Sequence, residues 1–132
     1  MLFRSREGAH LSIITYGAMV YVAKEAAEVL DREGISVEIV DLRTLQPLDD
    51  DTVLASVRKT SKVIVLHEAA LSGGLGGEVA SRISERAFEY LDGPVVRIAA
   101  PDTPVPFSPP LEEAFLPNAA KVVEKARWLY RY

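Results

Sequence analysis

The sequence contains no cysteine, which excludes disulfide bonds and thiolate chemistry. It has only two histidines, His10 and His67, and their separation does not match the short spacing of a metal-binding pair. No stretch approaches the roughly 18 consecutive apolar residues of a membrane span. The first residues, MLFRSREG, lack the apolar segment of a signal peptide. We therefore expect a cytoplasmic protein that does not act at a membrane.

Basic residues are also fewer than acidic residues. Fifteen Lys and Arg stand against nineteen Asp and Glu, which gives a net charge of −4. Without a basic patch, the sequence argues against a nucleic-acid partner. Its 132 residues and 48% hydrophobic content suit a single domain over residues 1–132. We expect residues 1–10 to form a loose N-terminal linker to that domain.

Strand-like and helical segments alternate along the chain. Short apolar, β-branched runs predict strands at residues 11–16, 35–41, 63–66 and 95–99. Apolar positions at helical spacing predict helices at residues 18–33, 49–58, 76–91 and from 117 or 118 onward. This order predicts an α/β fold, a three-layer α/β/α sandwich with a mostly parallel sheet. The run Val63–Leu66 is apolar throughout, so we expect it to be the central strand.

Several residues mark the ends of these segments. Gly34 suits the left-handed residue that follows a helix. One of Asp49, Asp50 or Asp51 is expected to cap the second helix, after a connector that turns at Pro47. Asn118 or Pro117 is expected to begin the last helix.

A glycine-rich loop follows the predicted central strand. It carries Ser72 and four glycines: Gly73, Gly74, Gly76 and Gly77. A dinucleotide fingerprint would need a third glycine or alanine where Val79 stands, and no Lys-Ser or Lys-Thr pair completes a phosphate loop. Glu78, in the first turn of the next helix, would repel a phosphate. We interpret the glycines as allowing a tight turn and close packing of that helix on the sheet, with small-ligand binding as the alternative.

His67 and Glu68 lie where the predicted central strand ends, which is where α/β enzymes often place catalytic groups. A histidine beside a carboxylate could act as a general base. Neighbouring residues of a strand point to opposite faces, however, so the two do not form a pair by adjacency. We predict structural or interface roles for His67 and Glu68, and no catalytic, cofactor-binding or metal-binding residue in this chain.

The segment Pro101–Pro117, which we call the strap, holds six of the eight prolines. A connection of this length without regular structure is usually functional or part of an interface. Its prolines restrict the backbone, so we expect an extended, ordered segment. Asp102 is expected to cap a turn at its start. Trp128 falls off the apolar row of the last helix, so we expect it to be partly exposed on a contact surface.

Six motifs, taken in order, resemble one family. They are ITYG at 14–17, VDLRTLQPLD at 40–49, HEA at 67–69, SGGLG at 72–76, PDTPVPF at 101–107 and LP at 116–117. The family is the β subunit of thiamine-diphosphate-dependent 2-oxo acid dehydrogenases of the pyruvate, branched-chain and acetoin types. The match covers only the carboxyl-terminal domain of that subunit, so the implied fold is that of the transketolase C-terminal domain. The sequence does not show which oxo acid is the substrate.

The resemblance implies an enzyme that decarboxylates a 2-oxo acid oxidatively and transfers the acyl group to a lipoyl group. Thiamine diphosphate and Mg²⁺ bind to other parts of such an enzyme, so we expect neither cofactor, and no activity, in this piece alone. The implied partners are an α subunit, a second β subunit and the peripheral-subunit-binding domain of the acyltransferase core. In bacterial relatives, residues at the positions of Asp92 and Tyr132 meet that last partner. Two alternatives remain: the equivalent domain of a transketolase or deoxyxylulose-phosphate synthase, and a free-standing ligand-binding module.

Overall fold

The computed structural model describes residues 3–43, 45 and 48–132; the predicted turn at Pro47 lies outside these residues. Five strands form the sheet: β1 (Phe3–Arg6), β2 (Leu11–Thr15), β3 (Val37–Asp41), β4 (Val63–Ala70) and β5 (Val96–Ala100). Three helices connect strands: α1 (Met19–Arg32), α2 (Asp50–Thr60) and α3 (Leu75–Ala87); two more, α4 (Pro109–Phe115) and α5 (Ala119–Arg131), follow β5. Among the described helices, none has the length and apolar character needed to cross a membrane.

The sheet has the strand order β1-β3-β2-β4-β5. Strands β3, β2, β4 and β5 run parallel, and β1 is antiparallel to β3. In the middle of the sheet, Ile14 of β2 lies opposite Val40 on one side and Val65 on the other. The middle strand is therefore β2. Strand β4, predicted to be central, lies beside it as an interior strand.

Helices cover both faces of the sheet. Alternate strand residues such as Ile13, Ile39 and Leu66 pack with α1 and α5 on one face. Their neighbours, such as Ile14 and Val65, pack with α2 and α3 on the other face. This alternation follows from the two-residue period of side chains along a strand, and it confirms the three-layer α/β/α sandwich.

The predicted helix ends are largely confirmed. Gly34 follows α1 with a positive φ of 80°. The Asp49 carboxylate accepts a hydrogen bond from the Thr52 amide at 3.2 Å, and the Asn118 side chain accepts one from the Lys121 amide at 2.9 Å. Helix α3 ends at Ala87 and continues as a 3₁₀ turn, Phe88–Tyr90.

The prediction of a loose linker at residues 1–10 is wrong for the residues that the structure describes. Strand β1 pairs with the outer edge of β3, with Arg4 opposite Val40. The Gly8 amide donates to the Glu38 carboxylate at 3.3 Å, and the His10 amide donates to the Ser36 carbonyl at 2.9 Å. The physical reason is that β3 would otherwise be an edge strand with unpaired backbone groups.

The strap is not extended throughout. Helix α4 lies within it, and Pro109 and Pro110 occupy the first positions of that helix. Proline is favoured there because the first amides of a helix have no intrahelical acceptor.

A buried polar network joins α2 to β2 and β3. The Glu38 carboxylate, almost fully enclosed, accepts hydrogen bonds from the Ser56 hydroxyl at 2.6 Å and the Lys59 ammonium at 2.7 Å. The Ser12 hydroxyl lies 2.7 Å from both the Ser56 and the Thr60 hydroxyls. Burial alone would raise the pKa of Glu38, but the hydrogen bonds from Lys59 and Ser56 outweigh it and lower the pKa.

Candidate functional sites at the two edges of the sheet

The carboxyl ends of β2 and β4 lie side by side at the point where the chain changes face. After β2 it enters α1 on one face of the sheet, and after β4 it enters α3 on the other. Open α/β sheets commonly bind ligands in the crevice at such a point. Tyr16 follows β2 directly, and His67 lies in β4 near this edge. These residues therefore form the first candidate site.

The His67 imidazole is enclosed, with 1% of the residue exposed. Its Nε2 accepts a hydrogen bond from the Gly76 amide at 3.1 Å, and its Nδ1 is buried without a hydrogen-bond partner among the described residues. Burial lowers the pKa of His67; the Ala69 backbone raises it by less, and the positive charge of Arg97 lowers it further. The imidazole is thus neutral at neutral pH, and its acceptor nitrogen is engaged inside the domain.

Two of the four loop glycines, Gly74 and Gly76, are explained by this packing. A β-carbon on Gly76 would lie 2.1 Å from His67 Nε2, and one on Gly74 would lie 2.4 Å from the Ala70 carbonyl oxygen. Any side chain at either position would collide with the strand or the imidazole. The structure therefore supports the interpretation of close packing of α3 on β4 at Gly74 and Gly76, and that of a tight turn at Gly73, whose φ is 75°.

Tyr16 and Glu68 complete the first candidate site. The Tyr16 ring lies nearly parallel to the His67 ring, at 6.3 Å between centroids. Burial, and then the negative charge of Glu68, raise the pKa of Tyr16. Glu68 is exposed while His67 is buried, as the alternation along a strand predicts. The imidazole is not available for the interface contact predicted for it, and of the two residues only Glu68 remains a surface candidate.

The donors of this edge do not fit the diphosphate group of the cofactor that the resemblance implies. A phosphate would need free loop amides, but the Ser72 amide donates to Asp102 at 2.8 Å and the Gly76 amide donates to His67. The Glu78 carboxylate adds negative charge to the first turn of α3. Within the described residues, no group of three His, Asp or Glu side chains could hold a metal ion.

Asp102 connects the strap to the glycine loop. Besides the Ser72 amide, its carboxylate accepts a hydrogen bond from the Ser72 hydroxyl at 2.5 Å, and these two bonds lower the pKa of Asp102. The prediction that Asp102 caps a turn at the start of the strap is therefore wrong, because its carboxylate bonds to Ser72 in the glycine loop instead. Sequence reasoning missed this contact because the two residues are 30 positions apart.

The amino edge of the sheet holds the second candidate site. The turn Asp92–Gly93 precedes β5, and the Tyr132 ring packs over it: a β-carbon on Gly93 would lie 3.3 Å from Tyr132 Cδ1. The Asp92 amide donates to the Ser61 carbonyl at 2.8 Å, which fixes the turn against the end of α2. The structure thus brings Tyr132 next to the turn that contains Asp92, which lies 40 positions earlier in the sequence.

Exposed aromatic side chains surround this turn. Trp128 is 49% exposed, which confirms the predicted partial exposure, and its ring meets Tyr132 edge-on at 5.4 Å between centroids. The other exposed aromatic residues near this edge are Phe88, Tyr90 and Tyr130. Aromatic residues are enriched in protein–protein interfaces. We call Asp92, Trp128 and Tyr132 the amino-edge surface.

Known proteins resemble this chain over nearly its whole length. Pyruvate dehydrogenase E1 component subunit beta of Bacillus subtilis is 52% identical over 122 residues, which are 92% of this chain and 37% of the relative. The subunit of the same name from Staphylococcus aureus (strain Mu50 / ATCC 700699) is 48% identical over the same shares. The chain therefore spans a little over a third of the length of these relatives.

Solved structures also match this chain over nearly its whole length. A chain described as "Split gene transketolase, inactive beta4 tetramer" matches with a TM-score of 0.85 and 31% identity, over 99% of this chain and 41% of that one. A 2-oxoglutarate:ferredoxin oxidoreductase from Magnetococcus marinus shares the fold, with a TM-score of 0.63 at 18% identity, over 98% of this chain and 19% of that one. The family model for the transketolase C-terminal domain matches residues 3–122. The chain belongs to the transketolase C-terminal domain family, as its resemblance to that domain of 2-oxo acid dehydrogenase β subunits predicted.

Proposed function

We propose that this chain is the C-terminal domain of the β subunit of a cytoplasmic 2-oxo acid dehydrogenase, and that it serves subunit pairing and docking. The whole enzyme would oxidatively decarboxylate a 2-oxo acid and transfer the acyl group to a lipoyl group. The observation that carries the proposal is the 52% identity to a pyruvate dehydrogenase β subunit over 122 residues. The names of the relatives favour pyruvate over branched-chain substrates.

The arrangement of the carboxyl edge supports a role without chemistry in this chain. His67 is enclosed and its Nε2 is engaged by Gly76. The amides of Ser72 and Gly76 already have internal acceptors. Thiamine diphosphate and Mg²⁺ would therefore bind to the α subunit and to the remaining part of the β subunit, in an α2β2 enzyme, and not to this domain.

The amino-edge surface is the proposed docking site for the peripheral-subunit-binding domain of the acyltransferase core. Gly93, the residue after Asp92, lies beside the Tyr132 ring, so the turn that carries the exposed Asp92 carboxylate adjoins exposed aromatic area. A carboxylate at an interface attracts a basic partner and contributes to specificity and association rate more than to affinity. The aromatic rings of Trp128 and Tyr132 supply area that can be buried on binding.

Replacement of Asp92 by lysine tests this assignment. Affinity for the cognate acyltransferase domain should fall by about tenfold at low ionic strength, because like charges would meet where opposite charges attract. The difference from the unchanged chain should shrink as salt screens the charges. Isothermal titration calorimetry at two ionic strengths measures both effects.

Glu28→Lys provides the matched control. Glu28 is exposed on α1 and is not part of the amino-edge surface, and the substitution makes the same change in net charge. Its affinity for the acyltransferase domain should stay close to that of the unchanged chain. Equal affinities of the Asp92 and Glu28 variants at low salt would remove Asp92 from the docking site.

A second candidate function is the C-terminal domain of a transketolase. It is favoured by the structural match to the split-gene transketolase, at 31% identity, but this identity is well below the 52% shared with the dehydrogenase subunit. The same titration separates the two candidates. A chain that shows no binding to the acyltransferase domain at any ionic strength would favour the transketolase assignment.

A further inference from the structure

We propose that the strap is a second docking surface, one that binds a basic and apolar surface of a different polypeptide. In the assembly proposed above, on which this inference rests, that polypeptide is the α subunit. The strap lies at the carboxyl edge of the sheet, where Asp102 joins it to the loop after β4. The amino-edge surface lies at the opposite end, so both partners could be bound at the same time.

The strap exposes large apolar side chains in a short segment. Phe107 is 99% exposed, Val105 is 65% exposed and Leu111 is 59% exposed. Beside them is a groove of about 250 Å³ between the prolines of the strap and α4, lined also by Leu111 and Phe115. Contiguous exposed apolar surface of this kind on a soluble domain commonly marks an interaction site. A groove of this size can accept one or two apolar side chains of a partner.

The strap is also held in place, so its exposed groups form a fixed surface. Asp102 ties its start to Ser72. At its other end, the Lys121 ammonium donates to the carbonyls of Ala114 at 3.0 Å and Leu116 at 3.2 Å. The prolines restrict the backbone between these ties. Less conformational freedom is then lost on binding, which favours affinity.

Charge identifies the kind of partner. Between Arg97 and Lys121 every charged side chain is acidic: Glu112 and Glu113 are exposed, while Asp102 is bonded to Ser72. Two-fold pairing of the strap with a second copy would place Glu112 and Glu113 near their own equivalents, which disfavours that contact. A partner that offers Lys or Arg beside an apolar side chain is complementary to it.

The exposed face of α5 in a second copy is a less suitable occupant, although it is basic. Such a contact would join two different surfaces of identical chains. It produces open filaments unless the rotation that relates successive copies closes them into a ring. A separate polypeptide with a basic and apolar surface can pair with the acidic side chains of the strap and bury its apolar ones without forming filaments. The occupant we infer is therefore the different subunit.

Phe107→Ser is the decisive variant. Phe107 is almost wholly exposed, so the substitution should leave the thermal unfolding midpoint unchanged, whereas affinity for the purified cognate α subunit should fall by at least about tenfold. Glu112→Lys combined with Glu113→Lys should also weaken binding, and should reduce its dependence on salt. The control is Tyr21→Ser, since Tyr21 is 75% exposed on α1 and its loss should not change the affinity.

The outcomes separate this inference from the proposed function. If the unchanged chain binds the α subunit and Phe107→Ser binds equally well, the strap is not the docking surface, while the proposed function stands. If Phe107→Ser alters only the self-association of the chain, measured by sedimentation, the occupant is a second copy and the inference is wrong. Failure of the unchanged chain to bind the α subunit would overturn both.

Discussion

Substitution of Gly76 by alanine tests how closely α3 packs on β4. Gly76 is the second residue of α3, and its amide donates to His67 Nε2 at 3.1 Å. An added β-carbon would lie 2.1 Å from that nitrogen and 2.5 Å from His67 Cδ2. Because the imidazole is enclosed and flanked by the Tyr16 ring, the strand and the helix must separate to make room.

The size of the effect follows from three terms. Overpacking a buried contact costs about 1–3 kcal/mol, and loss of the hydrogen bond to His67 adds about 1 kcal/mol. Alanine returns about 0.5–1 kcal/mol relative to glycine within a helix. We therefore expect Gly76→Ala to lower the free energy of unfolding by about 1–3.5 kcal/mol, from these terms together.

Gly77→Ala is the matched control, one residue further along the same helix turn. The nearest atom to its added β-carbon is Arg97 Nη1 at 3.7 Å, which is an ordinary contact with a flexible side chain. This variant should gain up to about 1 kcal/mol from helix propensity alone. Urea unfolding of both variants measures the difference, with the slope m checked for a two-state transition. If Gly76→Ala is as stable as Gly77→Ala, the close packing of α3 against His67 is wrong.

Two further substitutions test polar contacts. Glu38→Gln should reduce the loss of stability at acidic pH: the folded-state pKa of Glu38 lies below its ordinary value of 4.5, so its contribution is present above that value and is lost as the pH falls through the folded-state pKa. Urea unfolding at neutral and acidic pH measures this loss. An equal decline in the free energy of unfolding of Glu38→Gln and of the unchanged chain would contradict the prediction. Asp102→Asn should speed amide exchange at Ser72 and leave global stability nearly unchanged, since the contact is exposed; unaltered exchange would contradict the tie between strap and loop.

The sequence predicted the elements whose signals are local. The apolar run Leu11–Thr15 and the helical spacing of Met19–Arg32 have single interpretations. Gly34, Asp49 and Asn118 marked helix ends because each acts on amides or dihedral angles within a few residues. From this alternation the three-layer fold followed directly.

The elements that were missed depend on distant contacts. Strand β1 contains the charged residues Arg4 and Arg6 and exists because it completes the edge of β3, more than 30 residues away. Asp102 likewise finds its partner 30 positions earlier, in Ser72. The juxtaposition of Asp92 and Tyr132 was suggested only by resemblance, since nothing local to either residue indicates the other.

This fold commonly carries a ligand site at the carboxyl edge of its sheet. The positions of the hydrogen-bonded loop amides and of the exposed apolar side chains fit the proposed role in binding other proteins instead. At the carboxyl edge, the amides of Ser72 and Gly76 are satisfied by Asp102 and His67, so the donors that a bound anion would require hold the loop against the sheet instead. The exposed apolar groups lie at the two ends of the molecule, Phe107 at one and Trp128 at the other. A domain whose loop amides at the carboxyl edge are engaged internally and whose apolar groups are exposed at both ends is suited to join other proteins, because association buries those apolar groups.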